Sequence, residues 1–146
     1  MDARDFYNVA LEITLRNPPA GPAWCRTAIG RAYYATLIVA VDSLETAGVK
    51  VASGPDKHID VSRCLHQSGD SQPRTAAATL DALKTERHRA DYEMKRSDVE
   101  TISHARRAVQ DAKDILAWLD AFVKDPVRLT AAKASIQAYK LKTNAP

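Results

Sequence analysis

Glycine and aromatic residues are scarce in this sequence. Its 146 residues include 5 glycines, and phenylalanine, tryptophan and tyrosine together make up 6%. Strands are enriched in aromatic and β-branched residues, in which this chain is poor, so the composition favours helices. Alanine, the strongest helix former, is frequent. The composition predicts an all-α protein, and the length suits one domain, residues 1–146, with its own core.

The chain also has few cysteines and no long apolar run at its start. Cys25 and Cys64 form neither a CxxC pair nor a disulfide framework, so we expect two thiols in a reducing compartment. The longest apolar run in the first half, Leu37 to Val41, is too short to span a membrane. Asp2 and Arg4 interrupt any apolar signal segment. We therefore expect a cytoplasmic protein that does not enter a membrane.

A strong basic excess is absent as well. The net charge of +3 permits a polyanionic partner but is below that of a dedicated nucleic-acid clamp. His58, Cys64 and His66 do not have the spacing of a zinc site, and no fourth ligand is close in sequence. We expect neither a metal site nor a cofactor.

Turn-forming residues divide the first half of the chain into helices. Helix one is predicted from Asp2 to about Arg16 and is ended by the proline-rich segment Asn17 to Pro22. Helix two is predicted from Pro22 to about Ala47, with Gly48 as its C-terminal cap. A short third helix is predicted after Asp56, whose side chain would cap it.

The second half begins with the clearest loop. Gln67 to Pro73 is rich in turn formers and is predicted to be irregular. Helix four follows and should stop between Glu93 and Arg96. Ser97-Asp-Val-Glu100 matches a capping box and predicts the start of helix five, which keeps helical spacing to about Lys124.

A final helix is predicted over about residues 126–141. Asp125 and Pro126 fit its cap and first residue, and Lys140 to Pro146 are expected to fray. Four main helices, one short helix and this C-terminal helix are joined mostly by short loops. The simplest packing is an antiparallel up-and-down bundle whose core covers about residues 5–125.

The densest group of ionisable residues is Arg87-His88-Arg89-Ala90-Asp91-Tyr92, at the end of helix four. Arg87 and Asp91 are spaced for an intrahelical ion pair, a common surface feature, but such a pair would also hold the guanidinium ready for phosphate. Arg89 points to another face of the helix, where a solvated side chain is expected.

Helix two offers a second group. Arg31, Tyr33 and Tyr34 would line the same groove if helices two and four are neighbours, although two tyrosines on an alanine-rich helix also fit a role in filling the core. Arg31 is a candidate partner for Asp91 in a buried pair. His104 falls off the apolar stripe of helix five and is expected to face solvent.

These motifs carry a family resemblance. Helix two holds Arg31-Ala-Tyr-Tyr-Ala35, and helix four holds Leu80-x-x-Leu83 followed by Arg87-x-x-Ala90-Asp91-Tyr92. Over about residues 5–125 the chain resembles the HEPN superfamily, especially its small single-domain bacterial and archaeal members. The resemblance implies a helical bundle, commonly a homodimer, that often pairs with a minimal nucleotidyltransferase in toxin–antitoxin or defence systems.

The resemblance also implies a target, because many HEPN proteins are metal-independent ribonucleases. Such chemistry needs one group that moves the proton of the 2′-hydroxyl and a cation that holds the phosphoryl charge. On this sequence the implied catalytic residues are Arg87, Asp91 and Tyr92. The implied binding residues are Arg31, Tyr34, His88 and Arg89.

The sequence departs from the ribonuclease pattern at the proton-transfer residue. In that pattern four to six residues separate the arginine from a histidine. Counted from Arg87, the corresponding positions here are Tyr92, Glu93 and Met94. A phenol ordinarily ionises near pH 10 and accepts a proton poorly at neutral pH. Two hypotheses follow: a metal-independent endoribonuclease, and a catalytically inactive module that binds a nucleotide, RNA or a protein partner.

Overall fold

The computed structural model describes residues 1–143, and within that range it contains helices and no strand. The six α-helices are α1 (Arg4–Thr14), α2 (Pro22–Thr46), α3 (Lys57–His66), α4 (Ser71–Tyr92), α5 (Ile102–Val123) and α6 (Pro126–Thr143). Two short 3-10 helices, Gly54–Asp56 and Asp98–Glu100, precede α3 and α5. The predicted all-α helical bundle is confirmed. No described helix is both long and apolar enough to cross a membrane.

Helix α2 lies at the centre of the bundle and packs against α1, α3, α4 and α5. Three of its alanines, Ala28, Ala32 and Ala35, are completely buried. Small side chains let neighbouring helices approach closely, so α2 can be surrounded on several sides at once. As a result, the arginine and tyrosine motifs of α2 and α4 lie on neighbouring helices.

Two predicted helix caps are confirmed. Gly48 has a φ of +83°, and the amide of the following residue donates to the carbonyl of Leu44, which closes the last turn of α2. Asp125 caps α6, because its Oδ1 accepts from the amides of Val127 at 3.1 Å and Arg128 at 3.3 Å.

Helix α3 starts directly after Asp56, as predicted, but the Asp56 side chain makes no cap bond. The start of α4 differs from the prediction. Helix α4 begins at Ser71, inside the segment expected to be a loop, because the carboxylate of Asp70 accepts from the amide of Gln72 at 3.1 Å. Pro73 lies in the first helical turn, where a missing amide donor costs nothing.

The predicted capping box is wrong. Ser97 makes no side-chain cap bond, and the three residues after it form a 3-10 turn. Helix α5 starts one turn later, because Thr101 Oγ1 accepts from the amide of His104 at 3.2 Å. Glu100 does not turn back to its own helix; its carboxylate pairs with Arg26 on α2. A tertiary ion pair has replaced the local cap.

The fraying predicted from Lys140 to Pro146 does not describe the first part of that segment. Residues 140–143 complete the last turn of α6, and residues 144–146 lie outside the described range. Lys140 Nζ donates to the carbonyl of Lys50 at 2.9 Å. This contact ties the end of α6 to the loop after α2.

An ion pair fixes α6 to the start of α4. Arg128 Nε lies 2.6 Å from Asp70 Oδ2, and its Nη2 lies 3.0 Å from Oδ1. The hydrogen bonds from Arg128, with a further one from the amide of Gln72, hold the pKa of Asp70 below its ordinary value of 3.8. The same carboxylate therefore caps one helix and binds another.

Acidification is expected to remove this link. A carboxyl group with a lowered folded-state pKa stabilises the fold above its unfolded pKa, and that contribution is lost as the pH falls through the folded pKa. Asp70→Asn keeps the capping oxygen but lacks the charge. Urea unfolding should show the variant less stable than wild type at neutral pH, with the difference shrinking below about pH 4. A difference that is constant with pH would contradict the role of the Asp70 charge.

Candidate functional site

A cleft of about 320 Å³ lies between α2 and α4. It is lined by Thr27, Gly30, Arg31 and Tyr34 from α2, and by Arg87 and Asp91 from α4. Residues spaced by three or four positions share one face of a helix, so each helix presents its lining residues to the other. Of the predicted site residues, the cleft brings together Arg31, Tyr34, Arg87 and Asp91.

The guanidinium of Arg87 is held in place by neighbours on both helices. Its Nη2 donates to Tyr34 Oη at 2.7 Å, and its Nε lies 2.8 Å from Asp91 Oδ2. Its Cζ is 5.1 Å from the ring centre of Tyr34 and 5.6 Å from that of Tyr92, within the range of cation–π attraction. The side chain is only 18% exposed. Arg87 is thus oriented before any ligand is present.

The contact between Arg87 and Asp91 is an ion pair by distance and a poor hydrogen bond by direction. The Nε–H is badly aligned with the carboxylate, so Nε counts as a buried nitrogen without an acceptor. Within residues 1–143, no other buried side-chain nitrogen or oxygen lacks a hydrogen-bond partner. We describe the pair as electrostatic, because the short distance gives attraction without requiring alignment.

Arg31 stands at the rim of the cleft. It is exposed, and its Cζ lies 5.2 Å from the ring centre of Phe6 on α1. The predicted buried pair with Asp91 is wrong, because that carboxylate lies beside Arg87 on its own helix. Arg31 makes no ion pair or side-chain hydrogen bond with any described residue, so its N–H donors face solvent and the cleft.

The two adjacent tyrosines have different roles. Tyr33 is 1% exposed and belongs to the core, whereas the half-buried Tyr34 lines the cleft. The Tyr33 hydroxyl is hydrogen-bonded to Nδ1 of His58, and burial raises the pKa of Tyr33. Burial, with the positive charges of Lys84 and Arg87, lowers the pKa of His58. His58 is therefore a neutral structural partner near neutral pH, which no sequence motif indicated.

Tyr92 and His88 flank the cleft without lining it. Tyr92 is 63% exposed, and its ring centre lies 5.0 Å from that of His88. The two residues are one helical turn apart on α4, so their rings meet on the outer side of the helix. They form an exposed aromatic edge next to the Arg87 guanidinium.

Arg89 does not line the cleft, although the resemblance placed it among the binding residues. Its Nη1 donates to Glu86 Oε1 at 2.8 Å, and the other oxygen of that carboxylate is bonded to His104 Nε2. His104 is 18% exposed, so the prediction that it faces solvent is wrong. Two helical positions rotate the side chain by more than half a turn, which sends Arg89 away from Arg87 towards α5.

Arg26 is the residue that sequence reasoning missed. Its side chain is 10% exposed, and its Nε and Nη2 lie 3.0 and 2.9 Å from Glu100 Oε1. It also donates to the backbone carbonyls of Arg89, Ala90, Glu93, Met94 and Arg96. The last carbonyls of a helix have no intrahelical donor, and Arg26 supplies donors at the end of α4. It thereby fixes the turn that carries Asp91 and Tyr92.

No group of three or more histidine, cysteine, aspartate or glutamate side chains in residues 1–143 is arranged to hold a metal ion. Cys25 and Cys64 are buried free thiols. Burial raises the pKa of both, to about 11 for Cys64, where Asp60 adds to the effect. A thiol in this state is a weak nucleophile and a weak metal ligand at neutral pH.

Comparison with protein-family models, curated proteins and solved structures gave no match to this chain. The resemblance to the HEPN superfamily therefore stays a prediction, based on Arg31-Ala-Tyr-Tyr-Ala35 and Arg87-x-x-Ala90-Asp91-Tyr92. Residues of both motifs line one cleft. The geometry of that cleft is the stronger basis for a function.

Proposed function

We propose that this protein is a HEPN-type module that binds RNA or a nucleotide through a phosphate group, in the cleft between α2 and α4. The observation that carries the proposal is the Arg87 guanidinium, oriented by Tyr34 and Asp91, with the unpaired Arg31 at the rim. A guanidinium offers planar, permanently charged donors that match phosphate oxygens. The net charge of +3 is compatible with an anionic partner.

Binding is favoured over catalysis because the cleft lacks a histidine, the proton-transfer residue of the ribonuclease pattern. None of its six lining residues is a histidine. His58 is engaged by Tyr33 in the core and has a lowered pKa, while His88 lies outside the cleft. The base within reach of a 2′-hydroxyl would be the carboxylate of Asp91, whose charge is paired with Arg87, and a carboxylate is ordinarily a weaker base than an imidazole.

Metal-independent ribonuclease activity is the second candidate. It is favoured by the exposed His88–Tyr92 pair, since the Tyr92 ring lies 5.6 Å from the Arg87 guanidinium. The reaction would be a transesterification in which the 2′-oxygen bonds to the adjacent phosphorus and the bond from phosphorus to the 5′-oxygen breaks, leaving a 2′,3′-cyclic phosphate. His88 would take the proton of the 2′-hydroxyl, a solvent water would protonate the departing 5′-oxygen, and Arg87 would stabilise the charge on the phosphoryl oxygens.

The partners implied by the resemblance belong to the same proposal. The protein would act as a homodimer in the cytoplasm and would be the toxin-like or defence component of a pair with a minimal nucleotidyltransferase. Buried, protonated Cys25 and Cys64 are compatible with a reducing compartment.

Arg31→Ala is expected to weaken RNA binding about tenfold, because it removes one charged donor from the rim. The side chain is exposed, so the free energy of unfolding should change by no more than about 0.5 kcal/mol. Fluorescence anisotropy with a labelled single-stranded RNA, in EDTA and at fixed salt, measures the affinity. Urea unfolding measures the stability.

Arg74→Ala is the matched control, because it removes the same charge from an exposed position on α4 that has no ion pair among the described residues. The affinity of Arg74→Ala for RNA should remain close to that of wild type.

Gel analysis of the same RNA tests the second candidate function. Cleavage that survives EDTA and is lost in Arg87→Ala would support a ribonuclease. Absence of binding at every protein concentration would contradict the proposed function.

A further inference from the structure

Asp91 is an unused acceptor in the cleft. No donor in the described part of the chain makes an aligned hydrogen bond to its carboxylate, and the Arg87 contact at Oδ2 is electrostatic. Oδ1 faces Gly30 on α2, where a Cβ, if present, would lie 3.7 Å from it. The Asp91 side chain is 35% exposed, so a ligand donor can reach the carboxylate from the solvent side.

The position of this carboxylate constrains the ligand. Asp91 Oδ2 is 2.8 Å from Arg87 Nε, so an anion held by Arg87 would lie near a negative charge. Two negative groups in a half-buried site repel unless a donor lies between them. The ligand that fits best carries a hydroxyl group next to its anionic group.

The net charge of the cleft also favours a phosphodiester ligand. Arg31 and Arg87 contribute two positive charges and Asp91 one negative charge, so the lining has a single positive charge in excess. One phosphodiester has a single negative charge and neutralises it, whereas a terminal phosphate has closer to two. In RNA each internal phosphodiester adjoins a 2′-hydroxyl, and in DNA this donor is absent.

We infer that Asp91 makes the cleft selective for RNA over DNA by accepting a hydrogen bond from the 2′-hydroxyl beside a phosphodiester bound to Arg31 and Arg87. The inference rests on the proposed phosphate-binding function and names the substrate class and the discriminating residue. Asp91 then acts on specificity, while the two arginines provide most of the affinity. Removal of the Asp91 carboxylate should abolish the difference in affinity between RNA and DNA.

The test compares three labelled oligonucleotides of equal length and sequence: oligouridylate, oligodeoxyuridylate and 2′-O-methyl oligouridylate. Anisotropy titrations with the full chain in EDTA give the affinities, with the RNA checked as intact by gel. Wild type should bind oligouridylate about tenfold more tightly than either analogue, since neither analogue can donate at the 2′ position. The 2′-O-methyl probe keeps an RNA-like sugar and so separates donation from sugar shape.

Two variants complete the test. Asp91→Ala should bind the three probes with equal affinity, because the 2′-hydroxyl has lost its acceptor. The measured quantity is the ratio of the affinities for the three probes, since Arg87 also loses a neighbour that orients it. Asp91→Asn keeps an acceptor oxygen and should retain part of the preference. Circular dichroism verifies that both are folded. The wild-type comparison of the three probes stands even if a variant does not fold.

The outcomes separate the inference from the function on which it rests. Equal affinity of wild type for oligouridylate and oligodeoxyuridylate, with Arg31→Ala weakening both, overturns the role of Asp91 and leaves phosphate binding intact. Binding of the 2′-O-methyl probe as tightly as RNA also overturns it. Failure of all three probes to bind overturns both proposals.

Discussion

Arg26→Ala is expected to lower the free energy of unfolding by about 3 kcal/mol, at the lower end of the cost of removing one partner of a buried ion pair, because Glu100 is 30% exposed. The Arg26 side chain is 10% exposed and donates to a series of carbonyls at the end of α4. Alanine would leave those carbonyls without donors and Glu100 without its cation. The end of α4 should therefore loosen, and the loss should exceed that of any exposed arginine.

Urea denaturation followed by circular dichroism measures this loss. Arg74→Ala, which removes an exposed arginine with no ion pair among residues 1–143, should change the free energy of unfolding by less than about 0.5 kcal/mol. Arg26→Lys should fall between wild type and Arg26→Ala, because an ammonium group has fewer donors and cannot span the same carbonyls. A loss below about 1 kcal/mol in Arg26→Ala would show that water replaces the guanidinium.

Arg87→Ala is expected to reduce RNA affinity about 100-fold, more than Arg31→Ala. Arg87 is the guanidinium that Tyr34 orients at 2.7 Å, and it offsets the charge of Asp91. Without it, an incoming phosphate meets an uncompensated carboxylate. The variant therefore loses the attraction between the guanidinium and the phosphate, and it loses a donor that was already oriented for binding.

Anisotropy titration at fixed salt measures the affinity, because phosphate contacts weaken as salt rises. Arg87→Lys should recover only part of it, since an ammonium group cannot reproduce the fork of a guanidinium between Tyr34 and a phosphate. Arg74→Ala controls for the loss of one charge on the same helix. Wild-type affinity in a folded Arg87→Ala variant would exclude this cleft as the binding site.

Helix positions were largely predictable because their causes are local. The proline segment before α2, Gly48 after it and the Asp125 cap of α6 act within one or two turns of the residue concerned. The capping box at Ser97 failed although its sequence was favourable. Glu100 binds Arg26, 74 residues away, and a distant cation outweighed the local amide.

In the candidate site, contacts within one helix could be predicted from the sequence, and contacts between helices could not. Arg87 and Asp91 share a face because they are four residues apart on one helix, and the sequence shows this directly. Whether Arg31 pairs with Asp91 depends on how α1, α2 and α4 pack. In the structure Arg31 lies against the Phe6 ring of α1, and Asp91 pairs with Arg87. His104 was misplaced for a similar reason, since Glu86 of α4 binds it across the bundle. Arg89 lies on another face of α4 from Arg87, as its spacing predicted, and it pairs with Glu86.

By itself the sequence determined the helical class, most helix ends and the pairing of Arg87 with Asp91, since these depend on periodicity and on groups within a turn of one another. Only the tertiary structure decided that Tyr34 orients Arg87 and that Arg26 completes the end of α4. Those contacts join residues 53 to 74 positions apart. No local pattern encodes them, because they exist only after α2 and α4 have packed.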